Sequence, residues 1–315
     1  MSVSTSQLLS ELRKTTPSQL ANIMPFSHPA LPLRLVGSPK IMQIFNATPD
    51  SFSDGDTSHL SVPLALEQIR NLLDTPVPPA ILDIGGMSTR PNSVPCSEEE
   101  ELNRVVPLIS ALRSSPDGRL RAIPISIDTY RPNVARAAVK AGASCVNDVR
   151  GGREPGMLET MAELDVPVIL MHSRGDSTTM MEAEMQDYST LGGVVAGVRT
   201  ELGETVAKAQ KAGVKAWNIM LDPGLGFAKS QSDNLTLLRN LSQLEFGYPL
   251  LVGGSRKGFV GRTTGREKAD ERGYGDAAIT AWCCQAGVGI VRVHEGRGMG
   301  EVVKMWEAIK GGDKT

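Results

Sequence analysis

Aromatic side chains are scarce in this chain: Phe, Trp and Tyr make up 4% of its 315 residues. A core of stacked rings is thereby excluded, and the 40% hydrophobic content must be carried mostly by Val, Ile, Leu, Ala and Met. Cysteine is also sparse. Cys96, Cys145, Cys283 and Cys284 form no CxxC pair, which argues against a disulfide framework or a zinc site and for a reducing compartment. Neither charge sign is in excess. The net charge is −2 with a pI near 6.1, so the basic stripe of a nucleic-acid binder is missing and any anionic ligand must be met by a few local cations. No apolar run approaches the ~20 residues that span a bilayer, and no signal-peptide apolar region opens the chain. Glu11 is the single acidic residue before position 30, and Ser and Thr are frequent there. This is a weak likeness to a transit peptide, with too little arginine to establish one. The expected location is cytoplasmic, with a mitochondrial address left open.

What the chain does have is alternation. Short β-branched or aliphatic runs near 42–46, 80–84, 123–128, 145–149, 167–171, 217–222, 249–253 and 290–294 read as strands. Helical patterns fall near 63–74, 98–114, 132–142, 156–164, 189–213, 233–245, 270–286 and 299–310. Ser97 before Glu98-Glu99-Glu100 and Pro132 after Arg131 are helix starts, and Gly142 and Gly213 are stops. Eight strands alternating with eight helices predict an α/β fold, a (β/α)8 TIM barrel over 41–315. An open doubly wound sheet is the alternative. Residues 1–40 hold an amphipathic stretch and a Pro-rich passage. They read as an N-terminal extension or linker, or as a remnant of a longer polypeptide.

The strands run into polar residues. Asn46, Asp83, Asp128, Asn147 with Asp148, His172, Asp222, the Ser255-Arg256-Lys257 run, and Arg292 with His294 all stand at or just beyond strand ends. A parallel barrel places its chemistry there. Residues i and i+2 of a strand share a face, so Ser126 lies with Asp128, Met220 with Asp222, and Arg292 with His294. An inward carboxylate is costly unless a ligand or donor satisfies it. Taken alone, each could be an internal ion pair tying the barrel mouth. His172 reads equally as pocket wall or as a partner behind the site. Gly151-Gly152 and Gly253-Gly254 read as tight turns, and the Arg262–Arg272 stretch as a solvated loop.

Four segments carry a resemblance: Asn46 to Asp56, Gly85 to Ser93, Asp222 to Lys229, and Gly254 to Lys257. In their order and on these strands they resemble the dihydropteroate synthase signatures. The Pro91-Asn92-Ser93 continuation looks more like fungal members. Met87 departs from the bacterial pattern, which has a glutamate there, and a structural hydrogen bond holding the second loop is thereby in doubt. The resemblance implies that 6-hydroxymethyl-7,8-dihydropterin pyrophosphate condenses with p-aminobenzoate to 7,8-dihydropteroate. Pyrophosphate is released with Mg2+ assistance, as a step of folate biosynthesis.

It also implies roles for residues. Asp128, Asn147, Asp222 and Lys257 match the donors and carbonyl of a pterin edge, with Phe227 flanking the ring or packing under a helix. Asn46, Thr89, Arg90, Arg292 and His294 would cradle pyrophosphate, and Asn46 would contact the metal. Phe52, Thr89, Pro91, Ser255 and Lys257 would hold p-aminobenzoate. Lys257, Asp128 and Asp222 would carry the catalytic electrostatics, with Asp54 helping from a closing first loop. A homodimer through late helices bearing Trp282 and Trp306 is implied, as are other folate-pathway domains if the chain derives from a fusion. Two other readings stand beside this one. A pterin-binding methyltransferase should lack both long loops and the Ser255-Arg256-Lys257 motif. A non-enzymatic pterin-binding module is left open by Met87.

Overall fold

The computed structural model describes residues 35, 37–48, 61–88, 93–244 and 246–311. The strands are β1 (Lys40–Asn46), β2 (Ile81–Gly85), β3 (Ile125–Asp128), β4 (Cys145–Asp148), β5 (Val168–Met171), β6 (Ile219–Asp222), β7 (Leu251–Val252) and β8 (Ile290–Val293). All pair in parallel, in the order β6-β5-β4-β3-β2-β1-β8-β7. A parallel bridge between Leu221 and Leu250 joins the two ends, so the sheet closes. The barrel is thus observed and the open sheet is not. Between the strands run α1 (Val62–Leu73), α2 (Glu98–Ser114), α3 (Pro132–Ala141), α4 (Met157–Leu164), α5 (Val194–Lys211), α6 (Gln231–Arg239), α7 (Gly273–Ala286) and α8 (Gly296–Ile309).

Strand alternation sorts side chains into two apolar shells. Met42, Ile81, Cys145, Ile169, Met220, Leu251 and Ile290 point inward and fill the barrel, with Leu35 packed against them. Their neighbours, among them Leu82, Ile84, Ile125, Ile127, Val146, Leu170, Leu221 and Val291, point outward into the helix layer. The inward series continues past this plug at the C-terminal ends as Asn46, Asp83, Ser126, Asp128, Asn147, Asp222, Arg292 and His294. Apolar floor and polar mouth are thus one periodicity, read at two heights.

The helix signals act as expected at three places. Ser97 Oγ accepts from the Glu100 amide at 3.1 Å, Pro132 opens α3, and Gly142 closes it with φ 118°. Two expected helices are shorter. The 189–213 pattern begins regular helix only at Val194, because Gly192 and Gly193 adopt φ of 80° and 98°. The 233–245 pattern starts earlier, at a Ser230–Asp233 capping box, and breaks at Asn240.

Candidate active site

Three strands meet at Arg292. Its Nε donates to Asp83 Oδ2 and its guanidinium NH2 to Asp128 Oδ2, both at 2.6 Å. Asn147 Nδ2 donates to the same Asp83 oxygen at 3.0 Å. Register makes this geometry local, since Gly85 pairs with Asp128 and Asp128 with Asn147 across β2, β3 and β4. Yet Asp83 Oδ1, Asp128 Oδ1 and the Ser126 hydroxyl are buried without a hydrogen-bond partner. A buried acceptor left unpaired costs about 1–3 kcal/mol. Asp83 and Ser126 lie fully buried beneath the mouth, and of the three Asp128, its side chain 10% exposed, is the one a ligand bringing donors could reach.

Opposite stand Asp222 and Lys257. Asp222 Oδ1 accepts from the Gly224 amide at 2.7 Å. Lys257 Nζ donates to the Leu225 carbonyl and lies 4.7 Å from the centre of the Phe227 ring. Phe227 also lines a cleft with Met87, Tyr130 and Arg150.

Burial governs the charges here. It pushes the Asp128 carboxyl upward against the pull of Arg292, and Asp222 upward against Lys257 and the Gly224 amide. It pulls Lys257 down to about 8, with Asp222 opposing and Arg292 adding to the fall. Burial also disfavours the Arg292 cation, but Asp83 and Asp128 outweigh it and hold that charge in place.

His294 sits on the inward face near Ser255. Its backbone amide donates to Ser255 Oγ at 3.2 Å, and its Nδ1 lies 3.2 Å from the same oxygen. Ser255 in turn donates to Asp276 Oδ2 at 2.7 Å. Arg256 holds φ 59°, and its amide also donates to Asp276. Ser255, 6% exposed, thus links His294 to Asp276 at the edge of the inward face. Arg272 donates to the Arg256 carbonyl at 2.6 Å, so this end of the expected solvated stretch braces the site loop instead. His172 points outward to Glu201 on α5, behind the site.

The structure brings together Asp128, Asn147, Asp222, Lys257, Phe227 and Arg292, with Asn46 on the inward face at the end of β1. Phe52, Asp54, Thr89, Arg90 and Pro91 lie outside the described residues. Asp276 and Lys229 were given no role from the sequence, and Asp83, singled out among the strand-end polar residues, was assigned none either. Asp83 stands at the middle of β2, on the face it shares with Gly85. Asp276 sits on α7, 21 and 20 residues beyond the Ser255 and Arg256 it binds, and nothing local marks it.

The described ends of the second loop are tied by groups other than residue 87. Arg104 donates to the Gly86 carbonyl at 2.7 Å, and Ser93 Oγ to the Ser88 carbonyl at 2.8 Å. Met87 is 8% exposed, with its sulfur 3.8 Å from the Tyr130 hydroxyl. Gly151 and Gly152 form a turn closed by Asp148, which accepts from the amides of Arg150 and Gly152 at 2.7 Å.

A closed barrel whose mouth offers paired carboxylates, an amide and a lysine to a flat ring with several N–H donors defines a pterin-binding enzyme. The pterin binding enzyme family matches residues 42–294, and the chain belongs to that family as a dihydropteroate synthase, a transferase of folate biosynthesis. It is 43% identical to the dihydropteroate synthase of Synechocystis sp., over 85% of this chain and 89% of that one. It is also 43% identical to the folic acid synthesis protein fol1 of Pneumocystis carinii, over 85% of this chain but 36% of that one. The likeness therefore does not single out fungi. Among solved structures, the Yersinia pestis dihydropteroate synthase with a sulfonamide drug complex matches with TM-score 0.81 and 35% identity, over 91% of this chain and 100% of that one. The Xanthomonas albilineans enzyme with 4-aminobenzoic acid matches with TM-score 0.76 and 39% identity, over 87% and 93%.

Proposed function

We propose the following division of labour for the condensation of 6-hydroxymethyl-7,8-dihydropterin pyrophosphate with p-aminobenzoate. Asp128, Asn147 and Asp222 take the pterin edge, and Lys257 donates to its carbonyl. The observation that carries this is the unpartnered Asp128 Oδ1 at the mouth, beside protein donors already committed elsewhere. The exocyclic C–O bond to pyrophosphate breaks, and the amine lone pair forms the new C–N bond. One amine proton leaves to solvent or to pyrophosphate. Ionised Asp128 and Asp222 favour the positive charge that develops on the pterin as the diphosphate departs. The amine is already neutral near pH 7 and needs no strong base. Arg292 and His294, with Asn46, face the leaving group, Phe227 flanks the pterin ring, and Ser255 and Lys257 border the aminobenzoate.

Mg2+ fits as a companion of the diphosphate. Among the described residues no cluster of three His, Cys, Asp or Glu could cage a metal. Asn46 offers one amide oxygen on the inward face, which suits an ion that draws most of its ligands from phosphate and water. When bound, the ion would neutralise charge building on the departing oxygens. The roles of Phe52, Asp54, Thr89, Arg90 and Pro91 remain assignments by resemblance. The same holds for a homodimer and for attachment to other folate-pathway domains. No described helix is long and apolar enough to cross a membrane; a cytoplasmic or mitochondrial home is part of the proposal.

The direct test mixes the chain with the pterin pyrophosphate, p-aminobenzoate and Mg2+ and follows pyrophosphate. Release that requires p-aminobenzoate and is competed by a sulfonamide is expected. Pterin binding with no release under any of these conditions would mark a non-enzymatic module instead.

A further inference from the structure

Behind the pterin face runs a buried polar chain that this chemistry does not use. Lys229 is 1% exposed. Its Nζ lies 3.0 Å from His172 Nδ1 and donates to the Phe227 carbonyl at 2.9 Å. Across the ring, His172 Nε2 is 2.6 Å from Glu201 Oε2, and Arg174 Nε reaches both Glu201 oxygens at 3.1 Å. An ammonium in such a place is expensive unless it is fully paired, and a methionine would fill the same length without that cost.

The pairing admits one proton arrangement. Burial drives His172 down to about 4, with the Lys229 charge adding, so the ring is neutral at pH 7. Its Nε2–H then donates to Glu201, and Nδ1 accepts from Lys229. Glu201 is held down at about 2 although burial would raise it, because the bonds from His172 and Arg174 outweigh burial. Lys229 itself is lowered to about 7, chiefly by burial, with Asp222 opposing. Lys257, Glu201 and Arg174 are the other charges that face it.

The loop that Lys229 ties is strained. Ala228 holds φ 49°, a left-handed conformation in a residue with a β-carbon, and such backbone persists only where its surroundings impose it. Tyr188 donates to the Ala228 carbonyl at 3.0 Å, and the Gly226 amide donates to Asn234 at 2.6 Å. Lys229 holds the carbonyl between these two ties.

We infer that Lys229, set by His172 and Glu201, is a positioning residue for pterin capture. It fixes the backbone that carries Asp222 at one end and the Phe227 ring at the other, and its hold depends on its own charge. The inference rests on the site assignment proposed above. Charge-assisted hydrogen bonds are roughly twice as strong as neutral ones. The hold is therefore present below about pH 7 and weakens as pH rises through the Lys229 value. A separate loss near pH 8 belongs to Lys257.

Steady-state kinetics with the pterin pyrophosphate varied, at saturating p-aminobenzoate and Mg2+, test this between about pH 6 and about pH 9. Lys229→Met is expected to raise the pterin KM about tenfold while kcat changes less than about threefold, the loss of one charged hydrogen bond. The wild-type rise in KM near neutrality should vanish, leaving only the limb near pH 8. His172→Gln keeps one acceptor and one donor and should stay near wild type, whereas His172→Leu should behave like Lys229→Met. A wild-type KM and pH profile in Lys229→Met overturns the inference. So does equal damage from His172→Gln and His172→Leu, which decides the matter if Lys229→Met does not fold. An unchanged pterin KM in Asp128→Asn would strike the site assignment itself.

Discussion

A carboxylate oxygen kept dry and unpaired is tolerated only where something else supplies its donor, and Asp128 and Asp83 each keep one. Lys257 is the complementary case, an ammonium drawn down to about 8 inside the same mouth. Its protonated form donates, so kcat/KM for the pterin substrate, after the loss near neutrality assigned to Lys229, should fall a second time as pH rises through about 8. Lys257→Ala is expected to lower turnover about 10²–10³-fold. Asp128→Asn should chiefly raise the pterin KM, about tenfold. Wild-type turnover in Lys257→Ala would remove that residue from the site. Arg292 is structural as well as functional. Arg292→Met strands two buried carboxylates and should destabilise the fold by about 3–5 kcal/mol, read by denaturant unfolding. Much of this was legible in sequence, because Asp128, Asn147, Asp222 and Arg292 stand on the inward parity of recognisable strands. The partner of Arg292 was not legible. The pyrophosphate cradle expected of Arg292 and the bridge observed to Asp83 and Asp128 use the same planar fork, and nothing local says which oxygens it meets.

Elements position these side chains through contacts that strand and helix patterns do not record. The β6–α6 turn is one. Gly224 has φ 67°, and a β-carbon there would lie 1.9 Å from the His172 carbonyl oxygen. Gly224→Ala should cost about 3 kcal/mol or more by thermal unfolding and should lose pterin binding with it. The loop after β7 is another, where Asp276 on α7 accepts from both Ser255 and Arg256. Asp276→Ala should release Ser255, let His294 swing, and lower kcat/KM severalfold at nearly unchanged stability; pyrophosphate-release kinetics beside a melting curve would show a purely structural effect if the two fell together. Caps at Ser97, Pro132 and Gly142 were readable because each is a local bargain between a side chain and its own helix end. The late start of α5 was not, since the apolar period runs on through Gly192 and Gly193 while their backbone does not. His172 likewise turned on an odd-or-even position one residue past its strand, which placed it with Glu201 and not in the mouth.

At the scale of the molecule, α7 and α8 leave Tyr274, Trp282, Met305 and Ile309 exposed. If these helices form the proposed homodimer face, Trp282→Glu should shift the chain from dimer to monomer by light scattering while the barrel still melts cooperatively. A wild-type monomer would end that proposal. The residue pattern by itself determined the eight βα units, the small net charge of −2, the four signature segments and the end of the barrel where they stand. These follow from periods of two and 3.6 and from turn chemistry, which act over a few residues. Only the closed barrel decided that Arg292 meets Asp83 and Asp128, 209 and 164 residues away, and that Lys229 meets His172 across 57. Alternation tells which side chains point inward, but who meets whom depends on register, tilt and closure, and those are properties of all eight strands together.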